Sequence, residues 1–373
     1  MEQYLSDNDV IDRVLAHIEN RTTDRGQSVH IEPVEHYISE ERLEQELNMF
    51  RRLPTPICPS ASIKNHGDFI TYAAAGTPLI VVRGKDGVAR GFKNACRHRG
   101  TKVAKDKGCA GAFVCPYHGW SYGLDGQLLG VPHEDGFPDL DKSKLGLAEV
   151  KVIEKGGLIY VVQEEGIENP EKLLDGLPEF FGPNQAFFAQ EEGIVESNWK
   201  LFMESFIEGY HIKPAHSKTF YPFGFDNLNV IEKCGPHSRI TYPFRRIEKL
   251  ADVPREKRDA TGSLSYLYQM FPNVIISQLT HHTTLGILEP LGTDRVKFTT
   301  YSMTHTRAQA DEKSALENAI RDRAFVSQTG QEEDIAVVEA AQLSLASGAN
   351  THFTFGHFEP NIVHFHEQIE RFI

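Results

Sequence analysis

At 373 residues, with 40% hydrophobic and 24% charged side chains, the chain is long enough for two or three domains and too apolar to stay disordered. Fifty-two acidic against 39 basic residues leave a formal net charge of −13, which excludes nucleic acid and anionic membrane surfaces as default partners. The five cysteines, at positions 58, 96, 109, 115 and 234, are odd in number and scattered, so metal ligation or buried thiols are expected instead of a disulfide framework. No run approaches the ~20 apolar residues of a membrane span. The acidic start, with Glu2, Asp7, Asp9 and Asp12, lacks the basic and apolar regions of a secretory signal, so the expected location is the cytoplasm.

In chain order, Val10, Ile11, Val14, Leu15 and Ile18 fall on one helical stripe and Leu43, Leu47 and Phe50 on another, predicting two surface helices within residues 1–53. From Pro54 the texture changes to short apolar runs broken by turns. Thr77 to Arg83 precedes Lys85-Asp86-Gly87, and Gly111 to Cys115 and Leu158 to Val162 follow, predicting a small antiparallel β domain over 54–165. The polar stretch holding Gly166, Pro170, Gly176 and Pro178 is the expected boundary, and 166–373 the second large domain. Within it Trp199 to His211 predicts a helix and Asn273 to Leu288 strands around Gly286. Ala308 to Ala346 predicts long helix interrupted near Gly330.

The sharpest local signal is Cys96-Arg97-His98 followed by Cys115-Pro116-Tyr117-His118-Gly119-Trp120, two loops that each offer one thiolate and one imidazole. A tetrahedral zinc site would use the same ligand types. Zinc fingers, however, place like ligands together, whereas here each loop mixes one Cys with one His. That mixing suits a [2Fe–2S] cluster with thiolates on one iron and imidazoles on the other, the Rieske arrangement.

A second constellation lies in Asn198-Trp199-Lys200 through Phe202, Glu204, Glu208, Tyr210, His211 and His216. Pro214 is expected to end the helix near Lys213, letting His216 fold back beside His211. Two imidazoles and a carboxylate form the facial triad of non-haem Fe(II) oxygenases, with positions open for O2. For the carboxylate, Glu204 and Glu208 are local candidates and Gln331-Glu332-Glu333-Asp334 a distant one. Glu208 is placed one helical turn before His211 and Glu204 one turn further, where a carboxylate could orient the ring of a ligating histidine.

These motifs together resemble the terminal oxygenase (alpha) subunit of the Rieske non-haem iron, or aromatic ring-hydroxylating, oxygenases. Respiratory Rieske proteins carry an extra cysteine in each loop, which would fall near Thr101 and at Tyr117, and a hydroxyl where Trp120 stands. Their absence matches the oxygenase type and implies fewer hydrogen bonds to the cluster sulfurs. The resemblance implies an α+β chain: a small antiparallel β Rieske domain ahead of a helix-grip (START-like) catalytic domain with an antiparallel sheet and long helices, the N-terminal helices packing on the latter. It assigns Cys96, His98, Cys115 and His118 to the [2Fe–2S] cluster. It assigns His211, His216 and, in a late acidic motif, Asp334 to a mononuclear Fe(II) that activates O2. Glu208 stands where the family more often has Asp, at a bridge that carries electrons from the neighbouring subunit's cluster histidine in a homotrimer. Some members, including oxygenases of quaternary ammonium compounds, also carry Glu.

The implied activity is hydroxylation or oxidative demethylation of a small aromatic or alicyclic substrate, as in aromatic hydrocarbon catabolism. A quaternary ammonium (carnitine- or betaine-like) monooxygenase is the alternative, and an electron-transfer Rieske protein without oxygenase activity the rival of another class. Neither G-x-G-x-x-G nor ferredoxin-type Cys spacing is present. NAD(P)H would therefore act through a separate reductase, with or without a ferredoxin. Lys93, Arg97, Arg99 and Lys102 predict a positive docking patch for that donor on an acidic protein. His281 and His282 are expected on opposite faces of a strand, so at most one reaches a pocket. Phe220 to Phe225 is an aromatic run that would shape a pocket or fill the core. Cys58, Cys109 and Cys234 are expected to be inert thiols. No metal site is expected at His364-Phe365-His366.

Overall fold

The computed structural model describes residues 3–182, 185–305, 312–327 and 332–373, and these divide into two compact units. One comprises residues 47–172, the other 1–46 together with 173–373. The expected helix break near Gly330, and Gln331 at the start of the acidic run Gln331-Glu332-Glu333-Asp334, lie outside the described residues.

The unit 47–172 is built on a seven-stranded antiparallel sheet. Its order runs Thr55–Pro59, Leu158–Val162, Glu149–Lys155, Ala89–Lys93, Thr77–Arg83, Asp68–Ala74, Lys107–Cys109, and a three-stranded sheet of Phe113–Val114, Ser121–Tyr122 and Leu128–Gly130 accompanies it. Strand Thr77–Arg83 reads as a continuous apolar run because Leu79 to Val82 are all fully buried. Its partners place Phe92 in a core with Val103, Phe113, Trp120, Tyr122 and Leu124, on which both cysteine loops rest.

The larger unit holds a second seven-stranded antiparallel sheet, ordered Phe187–Val195, Val296–Thr304, His282–Pro290, Val274–Gln278, Leu264–Met270, His237–Pro243, Val230–Cys234. Six of the seven strands follow one another as a meander, so neighbours in sequence are neighbours in space; short turns make every connection but the long one between His237–Pro243 and Leu264–Met270. Helices Trp199–Phe206, Glu312–Val326, Glu332–Leu345 and Pro360–Phe372 accompany this sheet. At the N-terminus, helix Asp7–Asn20 opens on a capping box in which Ser6 and Asp9 satisfy one another's backbone N–H, and it buries Val10, Ile11 and Val14. No helix among the described residues is long and apolar enough to cross a membrane.

Two local expectations are corrected. The helix expected to reach His211 ends at Phe206, where Ile207 donates to the Glu204 carbonyl and the Tyr242 hydroxyl donates to the carbonyls of Phe206 and Glu208, each at 2.9 Å. Glu208 and His211 therefore sit in a turn and not on one helical face. Pro214, expected to stop a helix, lies within the short helix Ile212–Ala215, where a first-turn proline forfeits no bond.

Candidate functional site

The two cysteine loops of the smaller unit share one backbone pattern. Cys96 N–H donates to the Thr101 carbonyl at 2.9 Å and receives Gly100 N–H at 2.8 Å; Cys115 does the same with Trp120 at 2.8 Å and Gly119 at 3.0 Å. In each loop the fourth residue after the cysteine is glycine with positive φ, +79° and +75°, a conformation costly for any side chain. Asn94 pins the first loop by accepting from Val103 and Ala104 N–H at 2.9 and 3.2 Å. Cys96 and Cys115 are buried free thiols, while His98 and His118 reach the surface and turn their Nδ1 atoms to within 3.1 Å of each other. His98 stacks flat on Trp120, with centroids 4.9 Å apart and planes 9° apart. Two inward thiols and two converging imidazole nitrogens are the donor set of a Rieske cluster, and the residues fit it.

One expectation about this site changes. Position 120 brings no hydroxyl, but Tyr122 does: its oxygen lies 3.2 Å from Cys96 Sγ and accepts Arg97 N–H at 2.9 Å. Burial, then the bond to Cys96, raises the Tyr122 pKa, so the hydroxyl stays protonated and can donate to the sulfur. Arg97, Arg99 and Lys102 are exposed around the loops.

In the larger unit the N-W-K run acquires a physical role. Asn198 caps helix Trp199–Phe206 by accepting Lys200 N–H at 2.9 Å, and the Trp199 indole and Lys200 ammonium both bond buried Glu46, at 2.7 and 2.5 Å. Glu204, a local candidate for the iron carboxylate, belongs to this supporting interior. It accepts from Tyr37 at 2.7 Å and pairs with His366 at 2.8 Å.

Beyond the helix the chain turns sharply at Gly209, where a Cβ would meet Asn229 Oδ1 at 2.1 Å. This tight passage lets Glu208 fold back: one carboxylate oxygen accepts the N–H groups of Tyr210 and His211, and the other bonds His211 Nδ1. His211 and His216 then face each other, with centroids 5.1 Å apart. Asp334, from the first turn of helix Glu332–Leu345, inserts between their outer nitrogens. Its Oδ1 lies 2.9 Å from His216 Nε2 and 3.5 Å from His211 Nε2. Glu333 holds the other side of His216, accepting at Nδ1 over 2.8 Å, and is itself bonded by Thr219 at 2.7 Å.

The electrostatics show what belongs at the centre. Burial opposes charge on His211, yet Asp334 and Glu208 outweigh it and lift its pKa to about 10; Asp334 is held low by the same two imidazoles against its own burial. His216 is raised likewise, by Asp334 and Glu333 over the cost of burial. Three carboxylates around two imidazoles make a pocket for a cation, and a divalent metal would displace those protons. His211 Nε2, His216 Nε2 and Asp334 Oδ1 all lie within 4.8 Å of one another and could hold it, with Nδ1 of each ring fixed by Glu208 or Glu333. The sequence offers Glu333 only as one member of the candidate acidic run for the iron carboxylate; its hold on His216 Nδ1 is new.

A cavity of about 180 Å³ adjoins these three residues. Phe206, Phe220, Tyr242, Phe244 and Phe298 supply aromatic walls, while His282, Thr284 and Arg323 supply polar ones. Of the two adjacent histidines only His282 lines it; His281 donates its N–H to Asp322 instead. Phe220 stacks edge-on against His216 at 5.1 Å and Phe325 at 6.2 Å, so part of the aromatic run is pocket wall. Cys58 and Cys234 are buried and Cys109 exposed; burial pushes the Cys58 thiol up to about 12.

Residues 54–153 match the family described as Rieske [2Fe-2S] domain, and residues 179–373 that described as ring hydroxylating alpha subunit (catalytic domain). The first match spans both cysteine loops and sets the zinc reading aside; the second does the same for a pure electron-transfer protein. The choline monooxygenase of Beta vulgaris, chloroplastic, is 28% identical over 324 residues, covering 82% of this chain and 69% of its own length. Among solved structures, the quaternary ammonium Rieske monooxygenase CntA in complex with L-carnitine superposes with a TM-score of 0.77 at 20% identity, covering 100% of this chain and 99% of that one. Naphthalene 1,2-dioxygenase from Rhodococcus sp., bound to indole, superposes with 0.78 at 19% identity, covering 98% of each.

Proposed function

This chain belongs to the ring hydroxylating alpha subunit family of Rieske oxygenases, and from that premise we propose that it hydroxylates or oxidatively demethylates a small quaternary ammonium substrate. As a member it is the terminal oxygenase, with a Rieske cluster, mononuclear iron and O2 as co-substrate, and it draws electrons from a separate reductase. The loaded iron supplies oxygen activation. Cys96, Cys115, His98 and His118 would hold the cluster, and His211, His216 and Asp334 the mononuclear metal.

The observation that carries the reading is the clamp at His211: Glu208 holds its Nδ1 and leaves Nε2 facing Asp334 beside an aromatic-walled cavity. Aromatic faces attract a quaternary ammonium group without hydrogen bonds, and they exclude water from the reacting C–H. Hydroxylation of an N-methyl group consumes O2, two electrons and two protons, and releases one water. The hydroxymethyl then leaves as formaldehyde, its O–H proton passing to solvent and the C–N bond electrons staying on nitrogen. Hydrocarbon hydroxylation of an aromatic substrate is the second reading, favoured by the low polarity of the same walls. We further propose a head-to-tail homotrimer in which His118 of one protomer approaches Glu208 of the next, a closed heterologous interface that would couple the two centres.

The test uses the holoenzyme with NAD(P)H and a matched reductase. Substrate-dependent consumption matched by formaldehyde supports demethylation. Iron at about three per chain, falling to about two in His211→Ala, supports two centres. Two irons with none lost on that substitution overturns the second centre, and consumption without oxygenated product counts against each compound tried.

A further inference from the structure

Within this oxygenase reading, we propose that the cavity has a carboxylate-binding wall formed by Arg323, His282 and Thr284, with Ser302 holding Arg323 from behind, so that the substrate is an organic carboxylate. Under the quaternary ammonium reading that makes it a betaine-type zwitterion and not an amino alcohol.

The wall follows from register. Ser277 stands opposite Thr284 across one strand pair, and Thr284 opposite Ser302 across the next, so a row of three hydroxyls crosses the middle of the sheet. Thr284 and Ser302 Oγ atoms lie 3.4 Å apart. His282 is two residues before Thr284, hence on the same face, and is 1% exposed. Helix Glu312–Val326 lies over this part of the sheet and contributes two adjacent residues to it. Asp322 takes His282 Nδ1 at 2.9 Å, while Arg323 Nε donates to Ser302 at 2.9 Å. The Phe220 ring separates the helix from His216.

A bland role is available to each: His282 as a core histidine, Arg323 as a tie between helix and sheet. The inventory of donors argues for more. A guanidinium has five N–H groups. Among the described residues Arg323 uses them only on Ser302 and on Glu191, whose side chain is 57% exposed. Exposed ion pairs contribute little, so Glu191 is a replaceable partner. His282 Nε2 has no protein hydrogen bond among the described residues, although the ring is buried and lines the cavity. Arg323 lines the cavity with N–H groups to spare, and His282, whose Nδ1–H is taken by Asp322, donates from Nε2 when its ring carries the second proton; a carboxylate with two acceptor oxygens can then take both groups at once.

The test is anaerobic titration calorimetry of the iron-loaded enzyme with two matched pairs, glycine betaine against choline and phenylacetate against 2-phenylethanol. The expected result is that the carboxylate of at least one pair binds about tenfold more tightly than its alcohol. Arg323→Met should erase that preference while cluster absorbance and iron content stay unchanged. Glu191→Gln, at an exposed position, should tighten carboxylate binding a few-fold and leave the alcohols alone, which tests the wall even if Arg323→Met fails to fold. The inference is overturned if neither carboxylate binds, if the alcohols bind as well, or if the preference is the same in a folded Arg323→Met or unaltered in Glu191→Gln. A carboxylate that binds but is never oxidised counts against the oxygenase reading for that compound and leaves the wall standing. Oxidation of choline with no carboxylate binding does the reverse.

Discussion

The two metal-binding regions solve opposite problems. In the cysteine loops all four donors come from two short turns of near-identical backbone pattern, the thiols buried and the imidazoles at the surface. In the histidine and aspartate centre His216 and Asp334 are buried and His211 half-buried, and His216 meets Glu333 across 117 residues of sequence. The loops keep a metal at the edge, where an electron donor can approach; the second centre withdraws one from water beside a cavity. A site of the first kind is written locally, while one of the second kind exists only once sheet and helices have packed.

The comparison breaks most visibly at Asp334. Asp334→Ala is expected to lower iron from about three to about two per chain and product formation by more than ~100-fold, with the visible spectrum of the cluster intact. Retention of all iron would mean that the long-range carboxylate is not a ligand. Next in size, Glu208→Gln keeps the shape but weakens the hold on His211 Nδ1. Turnover should drop about 10- to 100-fold at unchanged iron content, measured as product per reduced cluster in a single turnover. An unaltered rate would reduce Glu208 to a backbone cap.

The exposed side sharpens the contrast more gently. Because Arg97, Arg99 and Lys102 surround the cysteine loops, raising ionic strength from about 0.05 to about 0.5 M should slow reduction by the donor several-fold in stopped flow, without changing ligand binding in the cavity. Salt-independent reduction removes the docking patch. Smallest is Tyr122→Phe, which deletes the hydroxyl near Cys96 Sγ. If that bond favours the reduced cluster by about 1 kcal/mol, the potential falls by on the order of 40 mV, readable by spectroelectrochemistry. A rise would reverse the assigned direction of the bond.

Much of this was legible from residues alone, for reasons that differ by region. Strand Thr77–Arg83, both cysteine loops and the pair His211 and His216 were visible because their information lies within a few residues: an apolar run before a turn, a repeated thiol and imidazole, two histidines flanking a proline. Helical periodicity misled at Glu204 and Glu208. Their spacing suits one helix face, but the Tyr242 hydroxyl and the Asn229 side chain, both distant in sequence, favour a turn after Phe206 and send the two carboxylates to different neighbours.

Composition and spacing alone determined that the chain is a globular, acidic, two-metal protein, because thiols, imidazoles and glycines at fixed intervals constrain a loop whatever surrounds it. Tertiary structure decided which carboxylate meets the histidines, that Glu333 braces His216, and that Arg323 and His282 share one cavity wall. Those choices depend on side chains distant in sequence, 117 residues apart for His216 and Glu333, being brought together where each charge must find a partner.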